Sequence, residues 1–147
     1  EFGYEINVRE ALSQIWLRLF KLCGSILQEK TQPINSTADK VKRMMIYIHE
    51  NYHEKISISE LAQIAYLSER ECYRVFQNYL HMTPVEYIKS YRIQAARQML
   101  ADSQRTITEI GYACGLGNAS YFGKIFREAT GCTPLQYRRK WQNSDKI

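Results

Sequence analysis

The chain has 147 residues, enough for one ordinary domain or two very small ones, so a large multidomain enzyme is excluded. Hydrophobic residues make up 45% of the sequence and charged residues 24%, which excludes a wholly disordered or fibrous chain. Twenty basic against 15 acidic residues give a net charge of +5, and +4 of it falls beyond residue 55, so the C-terminal part favours a polyanionic partner.

Apolar residues recur at spacings of three and four along the whole chain, which predicts an all-α protein. The first periodic stretch covers residues 8–28, and its apolar seam is Leu12, Ile15, Leu19, Leu22 and Ile26. The polar residues around Pro33 predict a linker at residues 31–37. We therefore expect an N-terminal helical unit at 1–30, a second domain at 38–142, and a tail at 143–147.

The second domain contains many helix-start signals. Ser36 and Asp39 start a helix whose predicted buried stripe is Val41, Met44, Met45, Ile48 and Tyr52. Five more pairs have the spacing of a capping box. In this motif a Ser or Thr hydroxyl accepts a hydrogen bond from the backbone N–H three residues on, and the Glu or Gln side chain there accepts from the backbone N–H of the Ser or Thr. These pairs are Ser57 with Glu60, Ser68 with Glu71, Thr83 with Glu86, Thr106 with Glu109, and Thr133 with Gln136. The starts predict short helices joined by tight turns.

The second domain also repeats itself. Residues 58–61 return as residues 107–110 at an offset of 49, and Thr83-Pro84 returns as Thr133-Pro134 at an offset of 50. Each copy has a short helix, a turn and a second amphipathic helix, which is the pattern of a helix-turn-helix. The sequence thus predicts a first unit at 57–80, a linker helix at 84–100 and a second unit at 106–130, about seven helices besides the extra N-terminal one.

A helix-turn-helix reads DNA with the exposed side of its second helix. In the first unit we place Cys72, Val75, Phe76 and Tyr79 in the core, which leaves Arg70, Tyr73 and Arg74 facing outward. In the second unit Phe122, Ile125 and Phe126 form the core, and the outward residues are Ala119, Ser120, Gly123 and Lys124. Arginine can bind guanine with two hydrogen bonds. Two such units on one rigid helix can enter successive major grooves about 34 Å apart.

Residues 41–141 resemble the DNA-binding domain of the AraC/XylS family of bacterial transcription regulators. The matching residues are Leu61-Ala62, Leu67-Ser68, Phe76, Thr83-Pro84, Tyr87, Arg92-Ile93, Ala96, Leu100, Ile107, Glu109-Ile110, Gly115, Ser120 to Phe122, Phe126, Gly131 to Pro134 and Tyr137-Arg138. The resemblance implies a regulator that binds double-stranded DNA and assigns base reading to the outward residues named above. Contacts to the DNA backbone are expected from Ser57, Ser59, Ser68, Thr106, Asn118, Tyr121 and Arg138.

The resemblance also implies partners beyond DNA. Family members commonly carry an N-terminal sensing or dimerisation domain, and residues 4–29 resemble its last helix. RNA polymerase is then an expected partner, the N-terminal helix an expected dimer contact, and an effector ligand is expected only through the sensing domain. Gly111, Leu116 and Gly123 depart from the family pattern, so we expect the first unit to dominate specificity and the second to bind mainly the backbone.

Two other functions fit parts of the sequence. Residues 49–53 match H-E-x-x-H, the zinc-binding helix of metalloproteases, although the remaining histidine, His81, lacks the spacing of a third ligand. The alternative without metal is that residues 49–53 form the polar end of a helix at the surface. The second alternative is a helical protein-interaction module in which residues 8–27 form a dimer seam, and it predicts no affinity for DNA.

The remaining sequence features favour an intracellular protein without a cofactor. No run approaches the roughly 18 apolar residues that cross a bilayer, and the N-terminus lacks a signal-peptide pattern. The four cysteines, Cys23, Cys72, Cys114 and Cys132, lie far apart without a C-x-x-C pair, so we expect reduced, mostly buried thiols. We therefore expect a cytoplasmic, non-enzymatic protein that binds no metal and no membrane.

Overall fold

The structure is a computed structural model that describes residues 36–142. Within this range it has seven helices and no strand, which confirms the all-α class with two helix-turn-helix units and a long linker helix. The helices are α1 (Thr37–Asn51), α2 (Ile58–Ile64), α3 (Glu69–Leu80), α4 (Pro84–Asp102), α5 (Ile107–Ala113), α6 (Ala119–Thr130) and α7 (Pro134–Gln142). The predicted N-terminal helix, the unit at 1–30 and the tail lie outside the described residues.

The helices begin where the capping residues predict. Ser36 caps α1, and complete capping boxes start α2, α3, α4 and α5. At α7 the Thr133 backbone N–H donates to Gln136 Oε1 at 2.9 Å, and the Gln136 N–H donates to the Thr133 hydroxyl at 3.2 Å. The cap of α6 was not among the predicted pairs: Asn118 Oδ1 accepts from the Tyr121 backbone N–H at 2.9 Å. In every described helix a side chain thus accepts from one of the first backbone N–H groups.

Each helix-turn-helix unit has its own hydrophobic core. The first core consists of Val41, Met44, Ile48, Leu61, Ala62, Ala65, Cys72, Val75, Phe76 and Ile88. The second consists of Ile93, Ala96, Leu100, Ile110, Cys114, Leu116, Phe122, Ile125, Phe126 and Tyr137. Helix α4 contributes to both cores, since Ile88 lies in the first and Ile93 in the second. It is therefore the last helix of one unit and the first helix of the other.

Three residues of the predicted buried stripes are not buried: Met45 and Tyr52 are half-buried, and the placement of Tyr79 is wrong. Tyr79 is 51% exposed, although it continues the stripe that begins at Cys72. It lies in the last turn of α3, and Leu80 packs against the first core there instead. A helical stripe predicts burial only as far as neighbouring helices cover it, and the sequence pattern contains no information on that coverage.

The described cysteines are free thiols. Cys72 and Cys114 are buried, and Cys132 is half-buried. Burial raises the pKa of the Cys72 thiol and of the Cys114 thiol to about 11. Both side chains therefore act as small apolar residues in their cores. Cys23 lies outside the described residues. Among α1 to α7, no helix combines the length and the apolar character needed to cross a bilayer.

Candidate nucleic-acid interface

Helix α3 presents a basic and aromatic face to solvent near its N-terminus. Arg70, Tyr73 and Arg74 are all exposed, and the opposite face of the helix lies in the first core. Tyr73 is 39% exposed, and the side chain of Arg74 is 69% exposed. The structure thus brings the three predicted base-reading residues of the first unit together on one accessible surface.

One of the acidic residues of α3, Glu71, forms hydrogen bonds that cap the start of the helix. Glu71 accepts hydrogen bonds from the Ser68 backbone N–H at 3.0 Å and from the Ser68 hydroxyl at 2.9 Å. The backbone hydrogen bond is the main reason that the pKa of Glu71 is lowered. Glu71 Oε1 also lies 4.0 Å from Arg74 Nη2. An exposed ion pair of this length is weak because solvent screens it, so it does not prevent Arg74 from contacting DNA.

Helix α6 offers a less polar surface. Ser120 and Lys124 are exposed, whereas Ala119 and Gly123 are partly buried. Lys124 is the one charged group among these four predicted residues. The structure therefore groups them on one side of α6 but gives them few hydrogen-bonding atoms with which to distinguish bases.

Most of the residues predicted to contact the DNA backbone already use their polar groups in hydrogen bonds within the protein. The hydroxyls of Ser57, Ser68 and Thr106 each accept from a backbone N–H and donate to a Glu carboxylate. Arg138 is half-buried, and its Nη2 donates to the Arg105 carbonyl. The three hydroxyls would have to exchange a hydrogen bond within the protein for a phosphate contact, whereas the Arg138 guanidinium has further N–H donors.

The other residues predicted to contact the DNA backbone are more accessible to solvent. Ser59 is exposed on the first turn of α2, and Tyr121 is 57% exposed on the first turn of α6. Asn118 is also exposed, and its cap uses only Oδ1, which leaves its amide NH₂ group to donate. These three residues lie at helix N-termini, where backbone N–H groups and the helix dipole favour an anion.

The H-E-x-x-H residues have other partners in the structure. His49 Nε2 lies 2.8 Å from the Tyr87 hydroxyl, and the His49 ring stacks on Tyr91 with 4.1 Å between ring centroids. His53 Nε2 lies 3.7 Å from Glu54 Oε1. Residues 36–142 contain no group of three His, Cys, Asp or Glu side chains placed to hold a metal ion. His49 thus serves the packing between α1 and α4.

One inter-unit contact was not predicted from the sequence. Arg92 on α4 donates from Nε to the Tyr52 carbonyl at 2.7 Å and from Nη2 to the Glu54 carbonyl at 2.6 Å. The backbone of Gly115, in the turn of the second unit, lies against the same segment. A groove of about 380 Å³ runs beside this contact, and its lining includes Lys55, Leu116 and Tyr121. Arg92 and Gly115 were noted in the family pattern, but nothing local in the sequence indicates that they meet.

Comparisons with known proteins agree on the class of this domain. A family described as "Helix-turn-helix domain" matches residues 61–140. The uncharacterized helix-turn-helix-type transcriptional regulator YdeC of Bacillus subtilis is 33% identical over 136 residues, which cover 92% of this chain and 46% of that protein. The chain therefore spans less than half of that relative's length.

Solved structures show the same fold. An AraC-type regulator from Chromobacterium violaceum superposes with a TM-score of 0.67 and 28% identity, covering 71% of this chain and 93% of that one. The DNA-binding domain of AdpA, solved in complex with a target DNA, superposes with a TM-score of 0.68 and 24% identity, covering 71% and 95%. At this identity the second match supports the fold alone.

Proposed function

Since the chain belongs to the AraC family of helix-turn-helix transcriptional regulators, we propose that it binds double-stranded DNA sequence-specifically, with α3 and α6 in successive major grooves. The observation that carries this proposal is the duplication itself: two copies of one motif share α4, and each exposes the outer face of its second helix. The 19 residues of α4 correspond to about 28 Å, comparable with the roughly 34 Å between successive major grooves.

The two units have different tasks in this proposal. Arg70, Tyr73 and Arg74 read base edges, because two guanidinium groups and a phenol on one exposed face can bind and discriminate bases. The surface formed by Ala119, Ser120, Gly123 and Lys124 contributes one charge and one hydroxyl. The second unit therefore acts mainly by holding the DNA backbone, and the first unit sets the sequence preference.

Phosphate contacts come first from the accessible residues at helix N-termini. Ser59, Asn118 and Tyr121 are exposed there, and Lys124 adds a positive charge on α6. Ser57, Ser68 and Thr106 contribute through the N-termini that they cap, and Arg138 supports the second unit through Arg105. This division favours Ser59, Asn118 and Tyr121 as direct contacts.

The remaining proposals concern the regulator as a whole. Since its relatives are transcriptional regulators, we propose that the protein acts without catalysis, in the bacterial cytoplasm, where it meets the chromosome and RNA polymerase. Dimerisation through the N-terminal helix and an effector ligand bound by a sensing domain complete this proposal. It is supported by the relatives being longer than this chain.

A selection from a randomised duplex library tests the DNA-binding proposal. The chain is incubated with the library at two salt concentrations, with and without EDTA, and the bound DNA is sequenced. We expect a bipartite motif whose halves lie one helical turn apart, a stronger preference in the half bound by α3, and no effect of EDTA. Absence of enrichment and of affinity at low salt would contradict the proposal and favour the protein-interaction module.

A further inference from the structure

The two helix-turn-helix units have turns of the same conformation but different residues at the left-handed position. Tyr66 has a φ of 55°, and Gly115, 49 residues later, has a φ of 70°. In both turns this residue donates its N–H to the carbonyl three residues earlier at 3.0 Å. Tyr66 is 84% exposed, so a bulky side chain at this turn position points into solvent. The backbone conformation alone therefore does not explain glycine at position 115.

The close approach of the two units explains it. A Cβ atom on Gly115 would lie 2.7 Å from the Tyr52 carbonyl oxygen and 3.0 Å from that of His53. Both are backbone atoms at the end of α1, which packs in the first core, so they cannot move aside as a flexible side chain can. A side chain at position 115 therefore requires a shift of this backbone or of the turn that carries residue 115.

Arg92 strengthens the same contact. It binds the Tyr52 carbonyl at the C-cap of α1, where helices carry partial negative charge, and the Glu54 carbonyl just beyond the helix. The equivalent residue of the second unit, Gln142, binds the Leu100 and Ser103 carbonyls at 3.5 and 3.3 Å through a neutral amide. The shorter, charge-assisted hydrogen bonds thus occur at the place where the units meet.

The ion pair between α4 and α6 contributes less to this contact. Lys89 Nζ lies 3.8 Å from Glu128 Oε2, and both side chains are about half exposed. Exposed pairs of this kind contribute little because solvent screens them. Beside the shared helix α4, the close contacts between the units are therefore those of Arg92 and Gly115.

We propose that Gly115 and Arg92, together with the carbonyls of residues 52–54, form a junction that fixes the spacing between α3 and α6. The junction thereby sets the number of base pairs that the protein requires between two half-sites. Arg92 and Gly115 are positioning residues, since they act through the recognition helices. The inference rests on the proposed DNA-binding function, and it adds that contacts within the protein determine the spacing between the two half-sites.

The test compares two substitutions in the same turn. Gly115→Ala introduces a methyl group against α1, whereas Gly117→Ala, at a φ of 75°, introduces one with no heavy atom within 4 Å. Both variants carry the strain of alanine at positive φ, so only displacement of the units distinguishes them. Circular dichroism establishes that both fold. Binding is then measured to the selected bipartite site, to versions with spacers one or two base pairs shorter or longer, and to the first half-site alone.

The expected result is a change in spacing preference with unchanged half-site binding. Wild-type protein and Gly117→Ala should prefer one spacer length. Gly115→Ala should bind that duplex about 100-fold more weakly or prefer another spacer. The reason is that the avidity of two linked binding units is lost when they cannot contact their half-sites at the same time. If Gly115→Ala retains the affinity and spacer preference of Gly117→Ala, the junction does not set spacing.

Arg92 provides a second test that does not depend on the folding of the Gly115 variant. Arg92→Met removes both hydrogen bonds to α1, whereas Arg92→Lys keeps a charged donor that can reach one carbonyl. We expect the Met variant to accept several spacers and the Lys variant to regain part of the wild-type preference. Equal spacer preference in all three proteins would overturn the inference. Wild-type protein that binds no DNA would instead overturn the proposed function itself.

Discussion

Arg74 is the charged side chain on α3 whose surroundings best fit contact with a base. Its side chain is 69% exposed, and its ion pair with Glu71 spans 4.0 Å at the surface. A bidentate contact with guanine provides roughly 1–3 kcal/mol of discrimination between bases, whereas solvent screens the exposed ion pair with Glu71. Binding to guanine should therefore prevail over the pair with Glu71.

Arg74→Ala should weaken binding to the selected site by roughly 1–3 kcal/mol and relax the preference at one base pair. Titrations against the selected site and against every substitution of that base pair measure both effects. Arg74→Lys is the control, because it keeps the charge and loses the planar pair of donors. If the Lys variant retains the base preference, or if Ala weakens binding to all sequences equally, Arg74 contacts phosphate instead.

Capping residues were the most predictable part of the structure. A hydroxyl and a Glu three residues on interact within one helical turn, so their spacing alone is sufficient to predict the helix start. The outward positions on α3 were likewise inferred from periodicity, and the structure leaves them exposed. Tyr79 was misplaced because its burial depends on a neighbouring helix. The partners of His49 were not predictable either, since Tyr87 and Tyr91 lie about 40 residues away in the chain.

Two glycines within helices of the second unit have opposite surroundings. A Cβ on Gly111 in α5 would lie 2.7 Å from the Gly117 carbonyl oxygen and 3.3 Å from Phe122. A Cβ on Gly123 in α6 would meet no heavy atom within 4 Å. Both depart from the family pattern, but only Gly111 has a packing reason for glycine. It allows α5 to approach the turn and α6 closely.

Alanine substitutions should therefore change stability in opposite directions. Gly123→Ala should stabilise the protein by roughly 0.5–1 kcal/mol, because alanine has the higher helix propensity and the site is open. Gly111→Ala should destabilise it by roughly 1–3 kcal/mol through overpacking against backbone. Urea unfolding followed by circular dichroism measures both changes. Stabilisation by Gly111→Ala would mean that α5 can move away from the turn at little cost.

The relation between the two units is a property of the whole domain, and local sequence patterns did not predict it. Arg92 binds carbonyls that lie about 40 residues earlier, and Gly115 contacts the same segment from more than 60 residues away. Neither interaction has a periodicity or a spacing signal. The duplication predicted that two units exist, and only the three-dimensional structure shows the contact that joins them. The N-terminal helix and its dimer contact stay predictions.

The division of labour between the units predicts how DNA binding depends on salt. Each neutralised phosphate contributes about 0.9 to the negative slope of the logarithm of the binding constant against the logarithm of salt concentration. If the second unit holds mainly the backbone, it should contribute to this slope whatever sequence lies beneath it. Its contribution to base preference should be small.

Three duplexes separate these contributions: the selected site, the same site with the second half scrambled, and a duplex truncated after the first half. Scrambling should leave the salt slope unchanged and weaken binding slightly, whereas truncation should reduce the slope by roughly half as the phosphates under α6 are lost. Lys124→Ala should reduce the slope on the complete site by about 1 and leave the truncated duplex unaffected. If scrambling weakens binding as much as truncation, α6 reads bases despite the few polar atoms on its outer face.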